Sequence, residues 1–201
     1  SAASDVYKRQ ILRLSLAGGN RETVVIKHVS IPFESRHPRG WNSNFSHKRK
    51  VFSYQVETEW YRQWSTRCDE HCRIPKFLAF DRDVDNVLVV LEDLDSVGYP
   101  ARLSSLSISQ IRNCLTWLAE FHATFLGEKP EGLWETGTYW HLTTRPEELE
   151  ALDDASLKAA ASKIDETLSA ATYQTFVHGD AKLANFCFSA DGTQVAALDF
   201  Q

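Results

Sequence analysis

Toward its C-terminal end the chain reads His178-Gly-Asp180-Ala-Lys182-Leu-Ala-Asn185, and Asp199 follows fourteen residues later at the close of an apolar run. An aspartate and an asparagine on one loop, with a second aspartate after an intervening hairpin, can converge on a single metal–phosphate centre. Mg²⁺ takes hard oxygen ligands and fills its shell with phosphate oxygens and a few side chains. Asn185 and Asp199 offer such oxygens. Asp180 can accept or orient the proton of an attacking hydroxyl. Lys182, two residues on, can stabilise charge on a transferred phosphoryl group. Each residue alone also suits a turn cap or a strand end. The joint spacing favours a site, because phosphoryl transfer uses this set of parts.

Two upstream features point the same way. Lys27 follows the apolar run Val24-Val25-Ile26, and a lysine within a buried strand is costly unless paired. The next helical segment carries Glu57 and Glu59, either of which can pair with it. A lysine–glutamate pair of this kind positions the α- and β-phosphates of ATP. Val87 to Leu91 then runs into Glu92-Asp93-Leu94, where a change of pattern marks the hinge between two lobes and offers backbone groups to adenine.

These residues need elements to hold them. Ile11 to Leu16 alternates apolar and polar residues, and Thr23 to Val29 is β-branched, so the two read as a hairpin around Ala17–Glu22. Gly18-Gly19 in that turn lacks the spacing of a phosphate-cradling loop. Pro32 to Ser46 reads as loop, and Lys48 to Arg67 as an amphipathic helix. Phe77–Phe80 and Val87–Leu91 read as a second hairpin. Ser107 to Gly127 is a long amphipathic helix with Gly127 as its stop, and His122 on its apolar side reads as a core residue. Pro146 to about Ala171 reads as one more helix. Cys187-Phe188 and Val195–Leu198 flank a turn and form a last short hairpin. The order of strands, helix, strands, then mostly helices predicts an α+β fold in two lobes, Ile11–Leu94 and Asp95–Gln201.

Composition sets the outer limits. The chain has 201 residues, 43% of them hydrophobic, and a net charge of −5. That charge speaks against a nucleic-acid binder that relies on neutralising phosphates. No apolar run is long enough to span a bilayer, and no signal peptide is evident, so a cytoplasmic protein is expected. The four cysteines, Cys68, Cys72, Cys114 and Cys187, have no framework spacing and read as reduced thiols. Cys68-Asp-Glu-His71-Cys72 has no second cluster to complete a zinc site. Ser1–Gln10 has no hydrophobic period and, written back into codons, resembles the end of a transposase sequencing adapter. Those residues are therefore expected to be non-native and outside the fold.

The sequence resembles the aminoglycoside phosphotransferase-like and choline kinase-like superfamily, nearest to the branch of ecdysteroid kinase-like proteins and their bacterial relatives. The marks are VVIKHV at Lys27, SYQVETEWY at Glu57, VLVVLEDL, LAEFHATFLG, GTYWHLTTRPEEL, HGDAKLANF and LDFQ, spread over Ile11–Gln201. The resemblance implies a two-lobed protein-kinase-like fold, truncated at both ends. It implies an ATP- and Mg²⁺-dependent transfer of the γ-phosphoryl group to the hydroxyl of a small-molecule alcohol. Asp180 would be the catalytic base, and Asn185 and Asp199 would hold Mg²⁺. Lys27 would hold ATP phosphates, braced by Glu57, and the backbone of Glu92, Asp93 and Leu94 would meet adenine. His178 would brace the catalytic loop. Lys182 departs from members with another residue there and echoes the lysine of protein-kinase catalytic loops. No nucleic-acid, membrane or obligate protein partner is expected. A non-catalytic nucleotide-binding or scaffold descendant is the rival reading, and HGD without arginine, together with LDFQ, disfavours a protein kinase.

Overall fold

The computed structural model describes residues 8–30, 42–84 and 86–200, and shows a mixed α/β protein. Strands β1 (Lys8–Ser15) and β2 (Thr23–Ser30) form the first antiparallel hairpin. β1 opens ahead of the expected Ile11: Lys8, Arg9 and Gln10, expected to lie outside the fold with the rest of Ser1–Gln10, pair in the ladder with Ser30, Val29 and His28 because β2 runs on to Ser30. Strands β3 (Phe77–Arg82) and β4 (Asn86–Glu92) form the second, and the sheet order is β1-β2-β4-β3. Between them, Asp83 Oδ1 accepts from the Asn86 amide at 2.7 Å. β2 and β4 pair from Val24–Glu92 to Ser30–Asn86, which sets Lys27 opposite Val89 in the middle of the sheet.

Helix α1 spans Asn42–Glu59 and continues through a π-helical turn, Trp60–Trp64, and a 3₁₀ turn, Ser65–Arg67. The expected end at Arg67 is met, but the start lies earlier than Lys48, so Asn42–Ser46 belongs to the helix rather than to a loop. The remainder of the expected loop, 32–41, lies outside the described residues. The wider π turn lets Trp60 and Tyr61 both face inward, at 3% and 1% exposure.

Helix α2 (Ile108–Thr124) begins with a capping box: Ser107 accepts from the Gln110 amide, and the Gln110 side chain accepts from the Ser107 amide. Gly127 follows at φ +76° and donates its amide to Gln174 O at 2.8 Å. The single helix expected over Pro146–Ala171 is broken into α3 (Pro146–Glu150) and α4 (Ala155–Ser169). Asp154 causes the break: its side chain accepts from the Leu157 amide and so caps a new N-terminus. Strands β5 (Phe186–Phe188) and β6 (Val195–Ala197) form the last hairpin, and β5 also bridges to Ala101.

One aromatic core joins these pieces. Trp117 stacks on Phe121 at 5.1 Å, Phe125 on Phe176 at 5.0 Å, and Trp60 on Phe200 at 4.6 Å. Val29, Val87, Val89 and Leu91 of the sheet belong to the same buried cluster. Such ring pairs contribute about 0.5–1.5 kcal/mol each beyond their buried area. Among the described residues no helix is long and apolar enough to cross a membrane.

Candidate active site

The loop Phe176–Asn185 is fixed before its polar groups are considered. Phe176, His178 and Asn185 are buried. Gly179 takes φ +79°, and a Cβ there would stand 2.3 Å from Thr138 Cγ2, so only glycine suits both backbone and space. His178 Nε2 bonds Leu198 O at 3.1 Å, and the Asp180 amide donates to His178 Nδ1 at 3.3 Å. Burial holds the His178 imidazole below its ordinary pKa, against the pull of the Leu198 carbonyl and of Asp180. A neutral ring can serve both contacts, with Nε2–H donating and Nδ1 accepting.

Asn185 ends the loop in a 3₁₀ turn, Leu183–Asn185, and is 5% exposed. Its Nδ2 donates to Asp180 O at 2.8 Å and to Asp180 Oδ2 at 3.1 Å. Lys182 Nζ reaches the same Oδ2 at 2.6 Å. Asp180 Oδ1 and Asn185 Oδ1 are left as open acceptors among the described residues. The Leu198 amide donates to Asn185 O at 3.0 Å, which ties the loop to the segment before Asp199.

Asp199 is the one non-glycine residue at positive φ among the described residues, at +70°. That sparsely populated conformation turns its carboxylate toward the sheet and its neighbour Phe200 into the core. Asp199 Oδ1 meets Lys27 Nζ at 2.8 Å and Arg9 Nη2 at 2.7 Å. Lys27 Nζ also bonds Glu57 Oε1, and both side chains are almost wholly buried. Burial pushes the Glu57 carboxyl up, and Lys27 pulls against it. Glu59 takes no part: it faces Arg62 and Gln63. The Asp199 backbone also bonds Tyr61, whose hydroxyl burial raises well above its ordinary pKa, with Glu57 and Asp199 adding to the rise.

The structure thus brings Lys27 into direct contact with both Glu57 and Asp199 and links them through Leu198 to Asp180, Lys182 and Asn185. The segment Glu92–Leu94 is occupied by its own chain. Glu92 is held below the ordinary carboxyl range: burial raises it, but Arg73 and the Lys76 amide outweigh that. Asp93 accepts from Thr23 Oγ1 at 2.8 Å and pairs with Arg13. The Asp93 and Leu94 carbonyls accept from the Ser96 and Tyr99 amides.

Residues 51–201, more than half of the chain, match the phosphotransferase enzyme family. The chain belongs to that family. A solved structure, the crystal structure of WbdD, is similar at 14% identity and a TM-score of 0.43; the match covers 88% of this chain and 28% of that one. The chain thus spans less than a third of the length of that protein. No curated protein sequence matches.

The phosphotransferase match begins after Lys27, yet Lys27 reaches Glu57 and Asp199 inside it. Arg9, Thr138 and Tyr61 also bear on the site, and sequence reasoning singled out none of them. Tyr61 was legible as the residue four places beyond Glu57 on one helix; the other two contacts arise only from the fold. A cleft of about 690 Å³ is lined by Trp60, Phe121, Trp134, Phe176, His178 and Phe200, of which Phe176 and His178 come from the Phe176–Asn185 loop and Phe200 from the segment after Asp199. Lys27, Asp180, Asn185 and Asp199 are not on its wall.

Proposed function

We propose that this phosphotransferase uses ATP and Mg²⁺ to phosphorylate a hydroxyl group of a small molecule. The observation that carries the reading is the meeting of Lys27, Glu57 and Asp199 beside a loop that leaves Asp180 Oδ1 and Asn185 Oδ1 open. The donor chemistry fits a hard cation, since Asn185 and Asp199 present oxygens. Among the described residues no three His, Cys, Asp or Glu side chains gather as a metal cluster, so phosphate oxygens would supply part of the shell. Mg²⁺, when bound, supplies charge neutralisation at the phosphates.

The chain's own groups divide the work. Lys27, held by Glu57, binds phosphate oxygens as a fixed cation. Asp180 takes the proton of the acceptor hydroxyl at Oδ1, while Asn185 and Lys182 hold Oδ2 and so fix the carboxylate plane. Lys182 lies beside Asp180 and offsets charge on the phosphoryl group in transit. The Asp93 and Leu94 carbonyls already accept from the Ser96 and Tyr99 amides, so adenine is met by other backbone groups of Glu92–Leu94, with the Glu92 and Asp93 side chains turned to Arg73, Thr23 and Arg13. We place the chain in the ecdysteroid kinase-like branch on the motif spacing from Lys27 to Asp199, and in the two-lobed arrangement with ATP between the sheet and the helical part. The acceptor is a small alcohol, with no nucleic acid or membrane needed.

The test is ATP-dependent product formation across a panel of alcohols by the full-length protein and by its Asp180→Ala and Asp199→Ala variants. Loss of product in both variants is expected. Turnover retained in Asp199→Ala overturns the assignment, and nucleotide binding without turnover on any alcohol favours a non-catalytic descendant.

A further inference from the structure

Helix α1 carries more toward the site than Glu57. Lys50, Tyr54 and Glu57 stand at intervals of four and three residues, so they share one face of the helix. Glu57 on that face meets Lys27. Lys50, two turns earlier, does not extend to water as a surface lysine does. Its Nζ lies 4.9 Å from the centre of the Tyr54 ring and 5.5 Å from that of Tyr139, so the ammonium is held between two aromatic faces. No carboxylate lies within ion-pair distance of it among the described residues.

Its electrostatic surroundings are those of the site itself. The charges that act on Lys50 are Arg9, Lys27, Asp199 and Glu57, and burial together with the two cations lowers its pKa. Three cations, Lys50, Lys27 and Arg9, therefore face two carboxylates, Glu57 and Asp199. Lys27 and Arg9 both spend a bond on Asp199. Among the described residues, Lys50 is the one of these three cations with no carboxylate within ion-pair distance, and it is half-buried and close to like charges. Such an arrangement is unfavourable in the empty protein and becomes favourable when an anion arrives.

We propose that Lys50 is a further phosphate-binding residue, which recognises the terminal phosphate of a nucleoside triphosphate and thereby distinguishes it from the diphosphate. The inference rests on the nucleotide reading given above and adds a residue and a selectivity to it. Lys27 and Glu57 fix one end of the phosphate chain, and Lys50 supplies a second cation on the same helix face, two turns away. The aromatic pair Tyr54 and Tyr139 positions the ammonium without neutralising it, which a carboxylate partner would do. Tyr139 comes from the segment that also packs Thr138 against Gly179, so the same segment shapes the catalytic loop and holds Lys50.

The experiment compares binding of ADP and of a non-transferable β,γ-imido analogue of ATP, each with Mg²⁺, to the full chain by calorimetry. Unaltered protein, Lys50→Met and Lys50→Arg are measured side by side. In Lys50→Met the triphosphate analogue is expected to bind about tenfold more weakly, with ADP changed by less than about twofold, the scale of one lost charge-assisted contact. Lys50→Arg is expected to retain most of the selectivity. Should the methionine variant not fold, Lys50→Gln repeats the comparison with a neutral polar end over the same rings. Equal weakening of both nucleotides, or no change in either, overturns the proposal and leaves the nucleotide reading standing. Failure of the unaltered chain to bind either nucleotide overturns both.

Discussion

Lys27→Met and Glu57→Gln remove opposite ends of one buried ion pair, yet the structure predicts unequal costs. Both side chains are nearly buried, at 6% and 5% exposure. Lys27 has a second partner, Asp199 at 2.8 Å, whereas among the described residues the bond to Lys27 is the one ion pair of Glu57. Glu57→Gln therefore leaves Lys27 paired and exchanges one charged bond for a neutral one, at about 1–2 kcal/mol. Lys27→Met strands the Glu57 carboxylate in a dry site, and removing one partner of a buried pair costs about 3–5 kcal/mol. The pH dependence separates this cause from simple loss of packing. Burial already holds the Glu57 carboxyl above its ordinary value, and Lys27 opposes that rise. Without Lys27 the carboxyl climbs further, so the folded state binds its proton more tightly than the unfolded chain does. Stability is then lost as pH rises from the unfolded value of about 4.3 through the raised folded value. Urea unfolding of Lys27→Met and of Lys27→Met/Glu57→Gln, at a series of pH values between about 5 and 8, reads this directly. The double variant is expected to be the more stable of the two at the alkaline end, with the gap closing toward acid. Equal losses in the two single variants, or a gap that does not move with pH, would refute the reasoning.

Gly179→Ala meets both a positive φ and the Thr138 side chain, so it is expected to cost about 2 kcal/mol or more and to abolish turnover, as unfolding curves and an activity assay will show. Asn185→Ala removes two bonds to Asp180 from a buried position; a loss of about 1–3 kcal/mol in stability and a fall in kcat beyond tenfold are expected, the latter about 1.4 kcal/mol in barrier. Ser107→Ala removes the α2 capping box far from the site, so stability should fall by about 1 kcal/mol with nucleotide affinity unchanged.

What the sequence revealed and what it hid follow from how local each determinant is. Lys27 sits in a β-branched run, and Asp180 and Asn185 sit on one short loop, so neighbouring residues place them. The pairing of Lys27 with Glu57 over Glu59 follows from helix phase, since residues two apart point to different sides. Pro146–Ala171 looked continuous because Glu, Leu, Lys and Ala favour helix throughout. The break at Asp154 turns on one side-chain bond to the Leu157 amide, which composition does not display. Asn42–Ser46 has weak helix formers, and its helical state is not a matter of intrinsic preference. Thr138 against Gly179 and Tyr139 against Lys50 join segments distant in the chain, and no spacing rule announces such contacts.

The site and the core are one construction. Asp199 faces Lys27 while Phe200, its neighbour, stacks on Trp60 at 4.6 Å and meets His178 at 4.5 Å. Trp60 lies three residues beyond Glu57 on the same continuous helix. The position of Glu57 is therefore coupled through Trp60 and Phe200 to Asp199, and through Phe200 and His178 to the loop that carries Asp180. His178 closes the circuit with its bonds to Leu198 and to the Asp180 amide. A shift of α1 that withdrew Glu57 from Lys27 would also have to unstack Trp60 from Phe200. The strained φ of Asp199 is held in place from both sides, by ion pairs toward the sheet and by ring packing toward the helices. This geometry explains why a phosphotransferase can set charged groups on a sheet, a helix and a loop yet hold them in register: the aromatic core spans all three.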